Sequence, residues 1–186
     1  MGSEPVLIVA GPPGAGKSTV ARLVAQHVGM PAALIESDWF WTTIVKGLVP
    51  PWKPEADDQN RVVLRTCARS AASLAASGYS VVVEGVFGPW SVPVFAPEIQ
   101  GTGIECNYVV LRPSLDTALE RATSRVGEER VPGHPALTDP EPVRHMWNQF
   151  SDLGAYEGHA IDSTSLSAQA TADLVLERLR RGSLRL

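Results

Sequence analysis

The chain has 186 residues, 44% hydrophobic and 19% charged, with a net charge of −4. That suits one globular domain burying roughly 70% of its unfolded surface. The acidic balance argues against a protein whose main task is gripping nucleic acid, although a local basic groove is compatible with it. No apolar run approaches the ~20 residues of a membrane span, and the N-terminus lacks the basic and apolar pattern of a secretory leader. The two cysteines, Cys67 and Cys106, form no C-x-x-C pair and no disulfide framework, so the expected compartment is a reducing cytoplasm.

Pro5 to Ala10 carries β-branched residues and no charge. This predicts a strand buried on both faces at the centre of a parallel sheet. Gly11-Pro12-Pro13-Gly14-Ala15-Gly16-Lys17-Ser18-Thr19 follows and fits G-x-x-x-x-G-K-[ST], the phosphate-binding loop. From about Gly16 to Val28 the apolar residues keep a helical rhythm, and Gly29 provides a stop. Strand, glycine-rich loop and helix is the setting in which this motif grips polyphosphate. Glycines allow positive φ and close approach, backbone N–H groups converge as an anion nest, and the helix adds its positive end. Lys17 is expected to reach the β- and γ-phosphates of ATP, Ser18 to offer its hydroxyl to Mg²⁺, and Thr19 to support the α-phosphate.

A second strand is expected over Ala32 to Ile35, ending at Glu36-Ser37-Asp38, and a short helix from Trp39 to Lys46, closed by Gly47. Val49-Pro50-Pro51-Trp52-Lys53-Pro54 excludes helix and central strand and reads as a loop over the substrate side. Pro54 to Ser77 is helical in pattern, Tyr79 to Glu84 is a third strand, and Gly88-Pro89 opens a short helix near Trp90 to Phe95. Ile104 to Leu111 is a fourth strand. A helix from Leu115 to Arg125 follows, with Ser114 as its cap. Val126 to Pro140 is polar and rich in Gly and Pro, and its length without regular structure suggests a lid. Pro142 to Leu153 is helical, His159 to Asp162 a fifth strand, and Ser167 to Arg181 a terminal helix. The alternation predicts a parallel sheet in an α/β fold.

The loop resembles that of the P-loop kinases. Nearly the whole chain resembles the small phosphotransferases of that superfamily: chloramphenicol phosphotransferase, gluconate kinase, shikimate kinase and related AAA-type proteins. The resemblance implies a three-layer α/β sandwich with a five-stranded parallel sheet, helices on both faces and a short lid at about 126–140, in one domain spanning 1–186. It also implies that the third strand lies beside the first, and that ATP and Mg²⁺ are used.

Ligands in open α/β sheets bind beyond the carboxyl ends of the strands. That rule gathers Lys17, Ser18, Asp38, Glu84 and Arg112 at one edge. Asp38 is the candidate general base, because an acceptor hydroxyl must lose its proton. The resemblance implies the same role, since chloramphenicol phosphotransferase carries an Asp after its second strand. The other reading is that Ser37 or Asp38 caps the following helix. Glu84 either holds a magnesium-bound water, touches the acceptor, or is satisfied by nearby backbone amides. Many segments of this kind end in Asp, so Glu departs from the usual metal ligand. Arg121 and Arg125 share a helix face leading to the lid, which contains Arg130. All three are candidate nucleotide contacts, Arg125 also for the transferring phosphate. The alternative is pairing with Glu120, Glu128 and Glu129. Arg112 either contacts the acceptor or is simply an exposed residue at a strand end.

Trp39, Phe40, Trp41, Trp52 and Trp90 fall in segments around the expected acceptor, where they are candidates to wall an apolar or aromatic substrate; the other reading is core packing, expected for most, with Trp52 exposed. His27, His134, His145 and His159 show no metal-ligand spacing. The function expected is transfer of the γ-phosphoryl group of Mg-ATP to a hydroxyl of a small molecule. Two other readings remain: a polynucleotide or nucleoside end kinase, and an ATP-hydrolysing switch without an acceptor.

Overall fold

A computed structural model describes residues 4–126, 129–131 and 134–186. The first strand, β1 (Val6–Ala10), has five residues, all buried. It lies at the centre of a five-stranded parallel sheet with β2 (Ala32–Glu36), β3 (Ser80–Gly85), β4 (Cys106–Leu111) and β7 (Ala160–Ile161), in the order β2-β3-β1-β4-β7. The third sheet strand in sequence therefore lies beside the first, as expected.

Helices cover both faces, and the strand residues divide between them by parity. Val6, Ile8 and Ala10 face a core built with α3 (Asp57–Ala76) and α4 (Val92–Gln100). Leu7 and Val9 face one built with α1 (Lys17–Ala25) and α7 (Ala168–Arg180). The small residues Ala68, Ala71, Ala72 and Ala75 of α3 are all buried, which lets the helix lie close to the sheet. α5 (Leu115–Thr123) and α6 (Pro140–Asn148) pack together beyond β4. Ser114 caps α5, accepting from the Thr117 N–H at 3.3 Å.

Two expectations are corrected. The helix after β2, α2 (Asp38–Thr42), stops well short of Lys46. Thr42 and Thr43 turn their hydroxyls back onto the carbonyls of Trp39 and Phe40, at 2.8 and 2.6 Å, which competes with helix propagation. The segment expected to lack regular structure contains an antiparallel pair, β5 (Glu129–Val131) and β6 (His134–Pro135), with Glu129 opposite Pro135 and Val131 opposite His134. Positions 127, 128, 132 and 133 of the expected lid lie outside the described residues.

β7 pairs only with the upper end of β4, at Val110 and Leu111. The lower end is covered by the C-terminal segment. Leu184 accepts from the Tyr108 N–H at 2.8 Å, and Leu186 donates to the Cys106 carbonyl at 3.0 Å.

Candidate active site at the carboxyl edge of the sheet

The glycine-rich loop is held against the fold by contacts that leave no room for side chains. A Cβ on Gly11, whose φ is 150°, would lie 2.4 Å from the Leu111 carbonyl oxygen at the end of β4. One on Gly14, at φ 79°, would lie 2.0 Å from the Ala118 carbonyl oxygen on α5. Gly16, at φ 86°, differs: nothing lies within 4 Å of the place its Cβ would take. The first two glycines let the loop wedge against β4 and α5, whereas the third faces open space. Ala15 N–H donates to the Pro12 carbonyl at 3.2 Å and closes the turn. The Lys17 ammonium donates to the same carbonyl at 3.0 Å. α1 begins at Lys17, so its first-turn N–H groups have no carbonyl one turn earlier and face the loop mouth with the positive end of the helix.

Below the mouth, the Ser18 hydroxyl donates to Glu84 Oε1 at 2.8 Å, with both residues buried. Glu84 is registered with Val9 of β1 on one side and Glu36 of β2 on the other. Burial pushes its carboxyl above the ordinary range; the Lys17 ammonium and the Ser18 hydrogen bond pull it back, and the charges of Asp38 and Glu36 push it up further. The hydrogen-bond partner found for Glu84 is thus the Ser18 hydroxyl, rather than the backbone amides considered from sequence.

Asp38 opens α2 and is exposed. The turn carrying it is tied to β3, because Ser37 N–H donates to the Glu84 carbonyl at 3.0 Å. The Ser37 hydroxyl does not cap α2, and it is buried without a partner among the described residues. A Cβ on Gly85 would sit 2.2 Å from that hydroxyl, so Gly85 is what lets the turn close on the strand. Glu36 pairs with Arg22 of α1 at 2.5 Å. Arg22 stands one helical turn after Ser18. That spacing, together with a Glu at the end of β2, was the sequence signal for a contact the sequence reading missed.

The arginines separate. Arg121 donates to the Ser163 and Thr164 carbonyls, both at 3.3 Å, and so ties α5 to the segment after β7. Arg112 is bidentate to Glu157, at 2.9 Å twice, and also donates to the Phe150 and Ser151 carbonyls. Its guanidinium holds the Glu157 carboxyl below the usual range, aided by the Leu153 N–H. Arg125 follows the end of α5 and is half-buried. Arg130 falls on β5, and its expected nucleotide contact concerns a side chain outside the described residues.

A cavity of about 220 Å³, lined by Glu4, His27, Ser80 and Arg180 among others, lies near the amino ends of β1 and β3. It contains none of the loop residues, and chemistry rather than concavity marks the site.

A family model described as an AAA domain matches residues 6–152. The chain belongs to that family. No curated protein matches this AAA domain protein in sequence. Among solved structures it is similar to the Mycobacterium tuberculosis APS kinase CysC in complex with AMPPNP and APS, at 19% identity and a TM-score of 0.68, covering 97% of this chain and 99% of that one. It is similar to the Deinococcus radiodurans tunicamycin resistance protein, at 16% identity and a TM-score of 0.66, with 95% of each chain covered. It is also similar to shikimate kinase from Acinetobacter baumannii in complex with shikimate, at 17% identity and a TM-score of 0.61, covering 98% and 96%. At these identities the likeness concerns architecture: the AAA domain has the α/β fold of the P-loop kinases.

Proposed function

We propose that the protein is an ATP-dependent phosphotransferase acting on a hydroxyl of a small molecule, with Asp38 as general base. One observation carries the reading. The turn that bears exposed Asp38 is tied by the Ser37–Glu84 backbone bond to the strand whose Glu84 accepts from Ser18 of the phosphate-binding loop. A base for the acceptor and a grip for the donor are thus mechanically joined.

The residues fit both small ligands. The open space before Gly16, and the N–H groups opening α1, suit a polyphosphate. Ser18 and Glu84 form a pair of hard oxygen donors, as Mg²⁺ prefers, and the ion commonly takes only one or two protein carboxylates. When bound, Mg²⁺ supplies neutralisation of phosphate charge. In the proposed reaction Gly11, Pro12, Pro13, Gly14, Ala15 and Gly16 form the cradle, with Thr19 supporting the α-phosphate. Lys17 leaves the Pro12 carbonyl for the β- and γ-oxygens, and Arg125 meets the charge on the transferring group. Arg121 and Arg130 hold the nucleotide, Arg121 from its position beside the Ser163–Thr164 backbone. Asp38 takes the acceptor proton as the new O–P bond forms and the bond between the γ-phosphorus and the β–γ bridging oxygen breaks, with ADP as the leaving group. Catalysis here is positioning and electrostatics, since such transfers leave little covalent work to the protein.

The test is Asp38→Asn. Asn preserves the size of the side chain but removes its basicity. The variant should keep its affinity for ATP and lose about 10²–10⁴ in kcat for phosphoryl transfer. An unchanged kcat, or a wild-type protein that binds Mg-ATP tightly and phosphorylates no alcohol of any class, refutes the proposal.

A further inference from the structure

Resting on that reading, we propose that the acceptor is a molecule without negative charge that bears an aromatic or alicyclic ring beside its hydroxyl, held by Trp39, Trp52 and Trp90. The fold separates the aromatic residues that follow β2 and β3 into two groups. Phe40 and Trp41 pack against the core. Trp39, Trp52 and Trp90 remain 47%, 45% and 47% exposed. All three follow β2 or β3, neighbouring strands whose carboxyl ends carry Asp38 and Glu84.

Two of these indoles are presented from fixed supports. Trp90 sits edge-on against Phe150, with centroids 5.3 Å apart, and over Gly88, where a Cβ would lie 1.9 Å from the ring. Trp52 follows a proline-rich segment clamped to α3 by two consecutive side-chain amides. Gln59 bonds both the N–H and the carbonyl of Val49, at 2.9 and 2.7 Å. Asn60 donates to the Pro51 carbonyl at 2.7 Å and accepts from the Trp41 indole at 3.0 Å, which ties the segment to α2 and hence to Trp39. Ordering an indole while leaving nearly half of it in water gains little for the fold. Rigid, half-exposed aromatics are what a ring-bearing ligand needs.

Charge selects against an anionic acceptor. Arg112, the arginine at the end of β4, is held by Glu157 and two carbonyls. Glu36 and Glu84 are register neighbours on β2 and β3, and Asp38 follows two residues after Glu36. A carboxylate or sulfate entering beside Asp38 meets repulsion.

The experiment measures binding apart from turnover. The full chain, saturated with Mg-AMPPNP, is titrated with 4-methylbenzyl alcohol, with 4-(hydroxymethyl)benzoate, which adds a carboxylate to the same ring, and with choline, a hydroxyl-bearing molecule without a ring. Saturation-transfer NMR gives each Kd. The uncharged alcohol should bind at least about tenfold more tightly than either charged probe. Trp39→Ala and Trp52→Ala should each weaken it about fivefold or more, leave AMPPNP affinity unchanged, and be largely rescued by Trp39→Phe and Trp52→Phe. Equal or tighter binding of the benzoate or choline, no binding of the alcohol, or unchanged binding in both alanine variants overturns the proposal. Mass-spectrometric detection of a phosphorylated alcohol with Mg-ATP is scored separately. Aryl binding without any transfer refutes phosphotransfer while leaving the ligand class supported.

Discussion

Alanine at Gly14 and at Gly16 should fail in different ways, although both glycines have positive φ. At either position an L-residue in the left-handed region costs about 1–2 kcal/mol, partly offset by about 0.4–1 kcal/mol through a less flexible unfolded chain. At Gly14 the new Cβ would also lie 2.0 Å from the Ala118 carbonyl oxygen, where ordinary contact begins at 3.4 Å, and the neighbour is backbone that cannot rotate away. Loop or α5 must move by more than an ångström, an overpacking strain of about 1–3 kcal/mol. Gly14→Ala should therefore lose about 2–4 kcal/mol, lowering the Tm of the ligand-free protein by roughly 4–16 °C at 2–4 °C per kcal/mol. Gly16→Ala meets nothing within 4 Å, so its ligand-free Tm should fall by only a few degrees. Its methyl group would take open space that the proposed reaction gives to the phosphates. Mg-ATP at 100 times its Kd should stabilise the wild type by about 2.7 kcal/mol, and Gly16→Ala should lose most of that gain. Calorimetric melts with and without Mg-ATP measure both effects. If Gly14→Ala melts like the wild type, or Gly16→Ala keeps the full nucleotide gain, the division of labour between the two glycines is wrong.

Glu84→Gln should change how stability depends on pH. Burial raises the Glu84 pKa in the folded state above its unfolded value, so its contribution is fully present below the unfolded pKa and is lost as pH rises through the raised folded pKa. Glutamine does not titrate. Urea unfolding of the ligand-free proteins should show the variant gaining on the wild type from pH 4 to pH 8, by about 1.4 kcal/mol per unit separating the two pKa values; a gap independent of pH contradicts the assignment. Leu184→Ala removes a fully buried side chain from the C-terminal segment that covers the lower end of β4, and should cost about 2–5 kcal/mol in the same assay. A loss below 1 kcal/mol would mean that this segment adds little to the sheet.

The phosphate-binding loop was legible in the sequence because its chemistry fixes residue types at short, fixed spacing. The sheet was legible because Val6–Ala10 and Val81–Val83 are apolar on both faces. The reasons behind individual residues were not. Gly14 and Gly16 look alike in the motif, yet what separates them is Ala118, far along the chain. Glu84 could be placed at a strand end, but its partner depended on the registry of β3 with β1 and on the rotation of α1. α2 was read too long because helical rhythm carries no record of the threonine back-bonds that end it. β5 and β6 were missed because segments of three and two residues are too short to display alternation. The bonds of Arg121 to the Ser163 and Thr164 carbonyls reflect the position of β7, which local pattern does not encode.

The carboxylates at the loop mouth also constrain which of them can act as a base. Glu84 is buried and carries the Ser18 hydroxyl on one oxygen, so an alcohol arriving from solvent would have to displace that bond and reach beneath the loop. Glu36 is held by Arg22, on the neighbouring helix. Asp38 alone of the three stands exposed, at the start of a helix whose N-terminal N–H groups can steady a carboxylate, and its turn is fastened to β3 by Ser37 and Gly85. Environments this unlike at one site are what assign different tasks to chemically similar groups. In the proposed reaction, proton removal therefore falls to Asp38, while Glu84 serves the phosphate side. If Glu84→Gln abolished transfer through the pH dependence of kcat while Asp38→Asn left that profile intact, the two roles would have to be exchanged.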